Sequence, residues 1–207
     1  MNVYLDKNWT IFYGTHAGKP LANRILKHAS EFLAHDSLTT KIELVYNSDK
    51  FYASSQNLVP SKEAFYDLLP QELIGPEDDG EGNPTAHIYL SVGSKHPGIA
   101  GKSIIDGMCT GSKNQKPRVI VRVTKDEVRT AMTVAHEIGH LLGMEHDFLL
   151  GRRDRTCGKG RDSGEYVMNY GSNRQIFSDC SNEDFKSYYD RVFDKNGKFC
   201  LKPGVVG

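Results

Sequence analysis

Two segments of the chain carry apolar residues at spacings of three and four. Within residues 19–34 these are Leu21, Ile25, Leu26, Ala29 and Leu33. Within residues 125–142 they are Val128, Ala131, Met132, Ala135, Ile138 and Leu142. This spacing gives an α-helix one apolar face, so both segments predict helices that pack against a core.

Polar residues mark where the helices are expected to begin. Thr124 and Glu127 match a capping box at the start of the second helix. Ser181 and Asp184 form a similar arrangement before a terminal helix whose apolar stripe is Phe185, Tyr188, Tyr189 and Val192. A short helix is also predicted over residues 61–69, and an acidic, glycine-rich loop over residues 75–84 follows it.

Four further segments have the patterns of β-strands. Residues 39–46 alternate between polar and apolar side chains, and residues 87–92 also have the pattern of a strand. Residues 118–123 are rich in β-branched side chains and suit an interior strand. Residues 98–105 are weakly apolar and contain Gly101, which favours an edge strand. Strands alternating with helices predict an α/β fold. The chain has 207 residues and no repeat or linker, so we expect a single domain over 1–207.

Charge and cysteine content narrow the class of protein. The 26 basic and 26 acidic residues cancel, so no overall field favours nucleic acid or an anionic membrane as partner. No segment is long and apolar enough for a membrane span. The four cysteines lack the paired spacing of a zinc knuckle, so two disulfides are expected, with all three connectivities open.

Disulfides and a glycosylation sequon indicate secretion. Disulfides persist in oxidising compartments, and Asn8 begins the triplet Asn-Trp-Thr. Met1 begins no apolar signal core, so we expect a signal peptide and a pro-segment to precede this sequence in the precursor. The predicted protein is extracellular and made as a zymogen.

A histidine motif within the second helix carries the chemistry. Residues 136–146 read H-E-x-x-H-x-x-G-x-x-H. His136 and His140, four residues apart, lie on one helix face and can ligate one Zn²⁺ ion. His146 reaches the same ion only if the chain turns sharply, and Gly143 can adopt the left-handed conformation that such a turn needs.

Three histidine ligands leave a fourth coordination position for water, as in a catalytic zinc site. Glu137 follows the first ligand directly, and we expect its carboxylate to act as general base toward that water. A helix with merely structural histidines is disfavoured by three of them in this register. The histidines outside the motif are expected to be structural or surface residues: His16, His28, His35, His87 and His96.

The zinc motif, followed by Tyr166-Val167-Met168-Asn169-Tyr170, resembles a metzincin with its Met-turn. Asp147 after the third histidine resembles the adamalysin or reprolysin group, which includes the catalytic domains of ADAM, ADAMTS and snake-venom metalloproteinases. Residues 177–181, followed by an aromatic helix, match as well. The resemblance covers residues 85–200 well, whereas residues 1–60 match only in the order of strand and helix.

This resemblance implies a metzincin catalytic domain. Its N-terminal lobe, about 1–143, would hold a mixed, mostly parallel sheet with helices, and a small irregular C-terminal lobe, about 144–207, would end in the terminal helix. Substrate would lie in the cleft between them, and Met168 would form a hydrophobic floor under the zinc ligands. The implied disulfides are Cys109 with Cys200 and Cys157 with Cys180.

The resemblance also implies how a peptide substrate binds. An extended peptide would pair with the edge strand at residues 98–105, with Ile99 and Ala100 nearest the cleft. Residues 169–176, beginning with Asn169 and Tyr170, would form the wall of the pocket beyond the cleaved bond. Structural Ca²⁺ is not expected because Pro203 stands where many reprolysins have an Asn, although an acidic loop keeps a Ca²⁺ site open: Glu77, Asp78, Asp79 and Glu81.

The leading hypothesis is therefore a secreted, monomeric, zinc-dependent endopeptidase that cleaves protein substrates. The alternative is a secreted toxin or binding protein of the same fold, of the kind found in venom or saliva, that acts mainly by target binding. Asp147 disfavours an astacin-like or matrixin-like enzyme. The basic loop at residues 152–161 is expected to be a solvated loop rather than an exosite for acidic substrates.

Overall fold

A five-stranded sheet forms the centre of the protein in a computed structural model that describes residues 1–53, 85–92, 99–109, 117–148, 157, 165–171 and 174–196. Its strands are β1 (Asn2–Leu5), β2 (Tyr52–Ala53), β3 (His87–Ser91), β4 (Gly101–Ser103) and β5 (Arg118–Arg122), in the order β2-β1-β3-β5-β4. All neighbours are parallel except β4, which runs antiparallel to β5. The predicted α/β class with a mixed, mostly parallel sheet is confirmed.

The two most apolar strand predictions match the centre of the sheet. Every residue of β3 is buried, and only Arg122 of β5 is half-buried. Parallel strands covered on both faces lose the polar alternation of a half-exposed strand, which explains their continuous apolar sequence. β4 lies at the sheet edge, as the weakly apolar segment with Gly101 predicted.

The prediction of a strand over residues 39–46 is wrong. This segment follows α1 (Trp9–Leu33) instead of pairing in the sheet. The amide of Ile42 donates to Leu33 O at 3.0 Å. The alternating apolar side chains of the segment, Ile42, Leu44 and Tyr46, are partly buried against the core. An alternation of polar and apolar residues, which is typical of a half-buried strand, therefore also occurs in a segment that lies along a helix without pairing in the sheet.

Helix α1 begins ten residues earlier than its apolar pattern predicted. Gly14 interrupts it with a φ of 71°, which separates a first turn at Trp9 from the predicted periodic part. The buried Trp9 indole lies directly against Gly18, so that its Nε1 would clash with a Cβ at that position. The early turn is thus held by a tertiary contact rather than by helical periodicity.

The described residues form two further helices, α2 (Glu127–Leu141) and α3 (Asp179–Asn196). Both helices were predicted, but the capping residues predicted for them are wrong. Asp126 caps α2 by accepting from Arg129 N at 3.0 Å, while Glu127 forms an ion pair with Arg24. At α3, Ser178 Oγ accepts from Ser181 N at 3.1 Å. Asp184 instead accepts from Glu145 N at 2.9 Å.

Helices α1 and α2 pack together on one face of the sheet, where they enclose the main core. The opposite face of the sheet carries a smaller cluster of Tyr4, Tyr89 and Ile120. Among the described residues no helix combines the length and the apolarity that crossing a membrane requires. The predicted short helix at 61–69 and the acidic loop at 75–84 lie outside the described residues.

Candidate metal centre

Helix α2 carries three of the predicted site residues. His136, Glu137 and His140 are all nearly buried on this helix, which packs between the sheet and the turn at residues 165–171. The four-residue separation places both histidine rings on one face, with centroids 4.7 Å apart. The helix alone therefore positions two imidazoles and one carboxylate.

The chain reverses direction at Gly143, directly after α2. Gly143 has a φ of 83°, its amide donates to His140 O at 3.0 Å, and the amide of Met144 donates to Gly139 O at 2.9 Å. These two bonds make a Schellman motif, which needs a left-handed residue at this position. The structure thus shows the turn that the glycine predicted, and this turn brings His146 back toward the helix.

The three imidazoles converge on one point. Nε2 of His146 lies 3.2 Å from Nε2 of His136 and 3.1 Å from Nε2 of His140. Zn–N bonds of about 2.0–2.1 Å at tetrahedral angles place ligand nitrogens about 3.3 Å apart, so this spacing fits a zinc ion. Among the described residues, these three histidines are the group whose donor atoms could hold a metal ion.

Hydrogen bonds fix the tautomers that metal binding requires. Nδ1 of His136 lies 2.7 Å from Val167 O, and Nδ1 of His140 lies 2.7 Å from Met144 O. A carbonyl only accepts, so each Nδ1 carries the proton and each Nε2 presents a lone pair. Burial lowers the pKa of His136 well below its usual value and that of His140 to about 4, so both rings are neutral.

The carboxylate of Glu137 lies against strand β4. Its Oε2 accepts a hydrogen bond from Ser103 Oγ at 2.6 Å. Burial raises the pKa of Glu137 to about 7, although the bond from Ser103 opposes this shift. A carboxyl whose pKa lies near neutral pH can both accept and return a proton, which suits a general base.

Met168 lies under the helix that carries the ligands. It is fully buried, and a Cβ at Gly139 would lie 2.7 Å from its sulfur. The neighbouring Val167 supplies the carbonyl that orients His136. The structure therefore brings the predicted Met-turn into contact with α2 at the position of the zinc motif.

Arg174 is a site residue that sequence reasoning missed. Its side chain is buried, and Nη1 donates to Val167 O at 3.1 Å and to Asn169 O at 2.7 Å. The guanidinium thus ties together the two carbonyls that flank Met168 and reaches to 3.3 Å from His136 Nδ1. A single arginine in a polar loop carries no motif, so no sequence signal distinguishes it.

The predicted substrate-binding residues lie at two places, just before strand β4 and next to the metal-binding histidines. Ile99 is 40% exposed just before β4, and Ala100 O accepts from Arg122 N at 2.8 Å. Tyr170 is 44% exposed, and its ring centroid lies 4.7 Å from that of His146. Asn169 is fully buried, so Tyr170 is the member of this pair that offers surface to a ligand.

A buried polar network joins the site to α3. Asp147 follows the third histidine, and its Oδ1 accepts from Ser178 Oγ at 2.5 Å. Cys157 and Cys180 form a disulfide, the pairing implied by the resemblance. Cys109 is also disulfide-bonded, and its implied partner Cys200 lies outside the described residues.

Other predicted sites have separate surroundings or lie outside the described residues. His28 bonds to Glu31, His35 to Ser37, and the buried His87 to Tyr4. Asn8 immediately precedes α1, and its sequon remains a prediction. The acidic loop, the basic loop apart from Cys157, His96 and Pro203 all fall outside the described residues.

Comparisons with known proteins agree with this geometry. Residues 80–202, more than half of the chain, match the family model "Reprolysin (M12B) family zinc metalloprotease". Human disintegrin and metalloproteinase domain-containing protein 9 is 38% identical over 90 residues, which is 43% of this chain and 10% of that protein. Mouse disintegrin and metalloproteinase domain-containing protein 12 is 31% identical over 94 residues, which is 44% of this chain and 10% of that protein.

A "Zinc metalloproteinase/disintegrin" of Bitis gabonica is 33% identical over 94 residues, which is 44% of this chain and 26% of that protein. The chain thus spans about a tenth to a quarter of the length of these relatives. The family model, by contrast, covers the zinc motif, the Met-turn and α3. This chain belongs to the reprolysin (M12B) family of zinc metalloproteases.

Proposed function

We propose that this chain is a secreted endopeptidase domain that hydrolyses internal peptide bonds of proteins. His136, His140 and His146 hold one Zn²⁺ ion, and Glu137 is the general base. The observation that carries this proposal is the convergence of three imidazoles beside the buried carboxylate of Glu137. Burial keeps two of these rings, His136 and His140, neutral by lowering their pKa values. Membership of a zinc metalloprotease family supports it.

When bound, zinc supplies Lewis-acid chemistry, because it polarises the scissile carbonyl and lowers the pKa of water. Glu137 accepts the proton of the attacking water and passes it to the departing amine. In the metal-free protein, burial raises the pKa of Glu137 to about 7, so this carboxyl can hold or release a proton near neutral pH. Met168 excludes water from beneath the ligands and keeps the site packed.

The edge strand β4 receives the substrate. It pairs with β5 on one side, and no other described strand pairs with it. An extended peptide adds to such an edge through backbone hydrogen bonds, while side-chain pockets select its sequence. Ile99 and Ala100 stand at the entrance to this strand, and Tyr170 contributes the wall beyond the cleaved bond.

The turn at Gly143 divides an N-terminal lobe from a C-terminal lobe, and the cleft between them holds the substrate. The Cys157–Cys180 disulfide supports an oxidising, extracellular compartment. The domain works as a monomer and is released from a zymogen.

Chelation with zinc readdition, combined with Glu137→Gln, tests this proposal. The chelated protein should lose cleavage of a denatured protein substrate and regain it with stoichiometric Zn²⁺. Glu137→Gln should retain zinc yet lose about 10²–10⁴-fold in kcat, the range expected for a general base. Cleavage that survives this substitution would contradict the general-base role of Glu137. A zinc-loaded wild-type protein that cleaves nothing would favour the alternative, a binding protein in which zinc is structural.

A further inference from the structure

Strand β4 presents two small residues to helix α2. Successive side chains of a strand point to opposite faces, so Gly101 and Ser103 share one face. Their partners in β5 are Val121 and Val119, which belong to the core on the helix side of the sheet. Ile104 packs against the cluster on the other face. The face of Gly101 and Ser103 therefore points toward α2.

Both residues lie directly against Glu137. A Cβ at Gly101 would lie 2.6 Å from Glu137 Oε1 and 2.7 Å from its Cγ, so only glycine permits this approach. Ser103 Oγ lies 2.6 Å from Oε2. In the part of the chain that the structure describes, this is the hydrogen bond that the Glu137 side chain makes.

We propose that Ser103 is a positioning residue for Glu137, so that the strand that receives the substrate also orients the general base. This inference rests on the proposed endopeptidase function. The zinc motif places Glu137 on α2 but does not determine the orientation of its carboxylate plane. The hydroxyl on β4 supplies the missing orientation.

The chemistry of the bond explains the effect. The last torsion of a glutamate side chain is broad, so an unrestrained carboxylate rotates. A hydroxyl that donates to a carboxylate forms a short, charge-assisted bond, and the observed separation is of that kind. With Oε2 occupied by Ser103, the proton from water goes to Oε1, and the same oxygen releases it to the departing amine.

In this arrangement, strand β4 positions both the general base Glu137 and the bound peptide. β4 is anchored to β5 through the pairs Gly101–Val121 and Ser103–Val119. A peptide that pairs with β4 is placed by the same backbone that carries the Ser103 hydroxyl. Loss of the hydroxyl should therefore lower kcat and leave KM nearly unchanged, because substrate affinity comes from the backbone of the strand.

Ser103→Ala and Ser103→Thr test this inference in the zinc-loaded protein. Ser103→Ala should keep one zinc per chain and its KM, while kcat falls about 10- to 100-fold, the loss expected for one hydrogen bond to a charged group. Ser103→Thr retains the hydroxyl and should recover most of kcat. Ser48→Ala, at an exposed serine whose described hydrogen bond uses its backbone carbonyl, is the matched control and should change nothing.

A second comparison asks whether Ser103 acts through Glu137. In the Glu137→Gln background, Ser103→Ala should have little further effect on the residual rate, because the carboxylate it orients is gone. An unchanged kcat in Ser103→Ala, or an equal fold-loss of kcat in the wild-type and Glu137→Gln backgrounds, would overturn the role of Ser103 but not the proposed endopeptidase function. A zinc-loaded wild-type protein that cleaves no peptide would overturn the proposed function and this inference together.

Discussion

Nδ1 of His140 lies 2.7 Å from the carbonyl oxygen of Met144, four residues further along the chain. The turn that ends α2 therefore orients the ring of the last histidine on that helix. The same turn returns His146 to within 3.1 Å of His140. One backbone motif thus sets the tautomer of the second predicted ligand and the position of the third.

Gly143→Val should weaken zinc binding and destabilise the protein. The site has a φ of 83°, and a Cβ would lie 2.7 Å from Tyr188 Cβ and 2.8 Å from Asp106 Oδ1. The left-handed conformation alone costs about 1–3 kcal/mol for such a residue. Competition with a chromophoric chelator measures the zinc affinity.

Gly14→Val is the matched control for that variant. Gly14 also has a left-handed φ, 71°, but nothing lies within 4 Å of a Cβ there. It should lower the melting temperature through backbone strain and leave zinc affinity unchanged. Equal zinc affinities in the two variants would contradict the role given to Gly143.

Arg174→Met should loosen the Met-turn. The substitution removes the donor that bridges Val167 O and Asn169 O, so the carbonyl that orients His136 loses its support. Loss of a residue that supports a metal ligand through hydrogen bonds typically lowers metal affinity by about 10- to 100-fold. Arg129→Met, at an exposed arginine of α2, should leave the affinity unchanged. The idea fails if calorimetry gives both variants the same zinc affinity.

The metal-free protein should show a pH dependence that Glu137→Gln removes. The folded pKa of Glu137 is raised to about 7 from an ordinary value of 4.5, so the folded state binds an extra proton between these values. Folding stability from this group is therefore present at low pH and declines as pH rises from 4.5 through 7. Glu137→Gln should stabilise the chelated protein more at pH 8 than at pH 4.

His136 and His140, both buried, have the opposite effect on the pH dependence of folding stability and provide an internal comparison. Their folded pKa values are lowered, so the stability they contribute is present above pH 6.5 and declines as pH falls toward 4. Glu137→Gln retains both rings and should keep this acid destabilisation. Urea denaturation of both chelated proteins across pH 4–8 measures the difference, and parallel stability curves would contradict the assignment.

Asp147→Ala should destabilise the junction with α3. Its carboxylate is fully buried and accepts from Ser178 Oγ, which also caps α3 at Ser181 N. A buried hydroxyl left without its charged partner costs about 1–3 kcal/mol. Thermal unfolding measures the loss. The exposed Asp49 offers the control substitution Asp49→Ala, which should be nearly neutral, and an equally small effect at Asp147 would contradict the network.

Local periodicity predicted the central elements because burial and helix geometry act over a few residues. Strands β3 and β5 and helix α2 follow directly from their apolar patterns. The turn at Gly143 was predicted because only one residue type favours its conformation. The family resemblance added the Met-turn, which the spacing of the zinc motif alone does not imply.

Tertiary contacts decided what the sequence could not predict. Thr124, Glu127, Ser181 and Asp184 fit capping patterns, yet Asp126 and Ser178 make the caps and Glu127 turns to Arg24. Residues 39–46 have a strand pattern but lie along α1. Ser103 and Arg174 contact Glu137 and His136 from 34 and 38 residues away, distances at which no local pattern links the residues.

Anomalous diffraction at the zinc absorption edge, from crystals grown with Zn²⁺, shows directly whether the three histidines hold one zinc ion. We expect one strong peak about 2.0–2.1 Å from Nε2 of His136, His140 and His146. The Glu137 carboxylate should lie beside that peak without ligating the ion. Three rings that face apart, or a zinc ion held by other residues, would show that these histidines are not the zinc ligands.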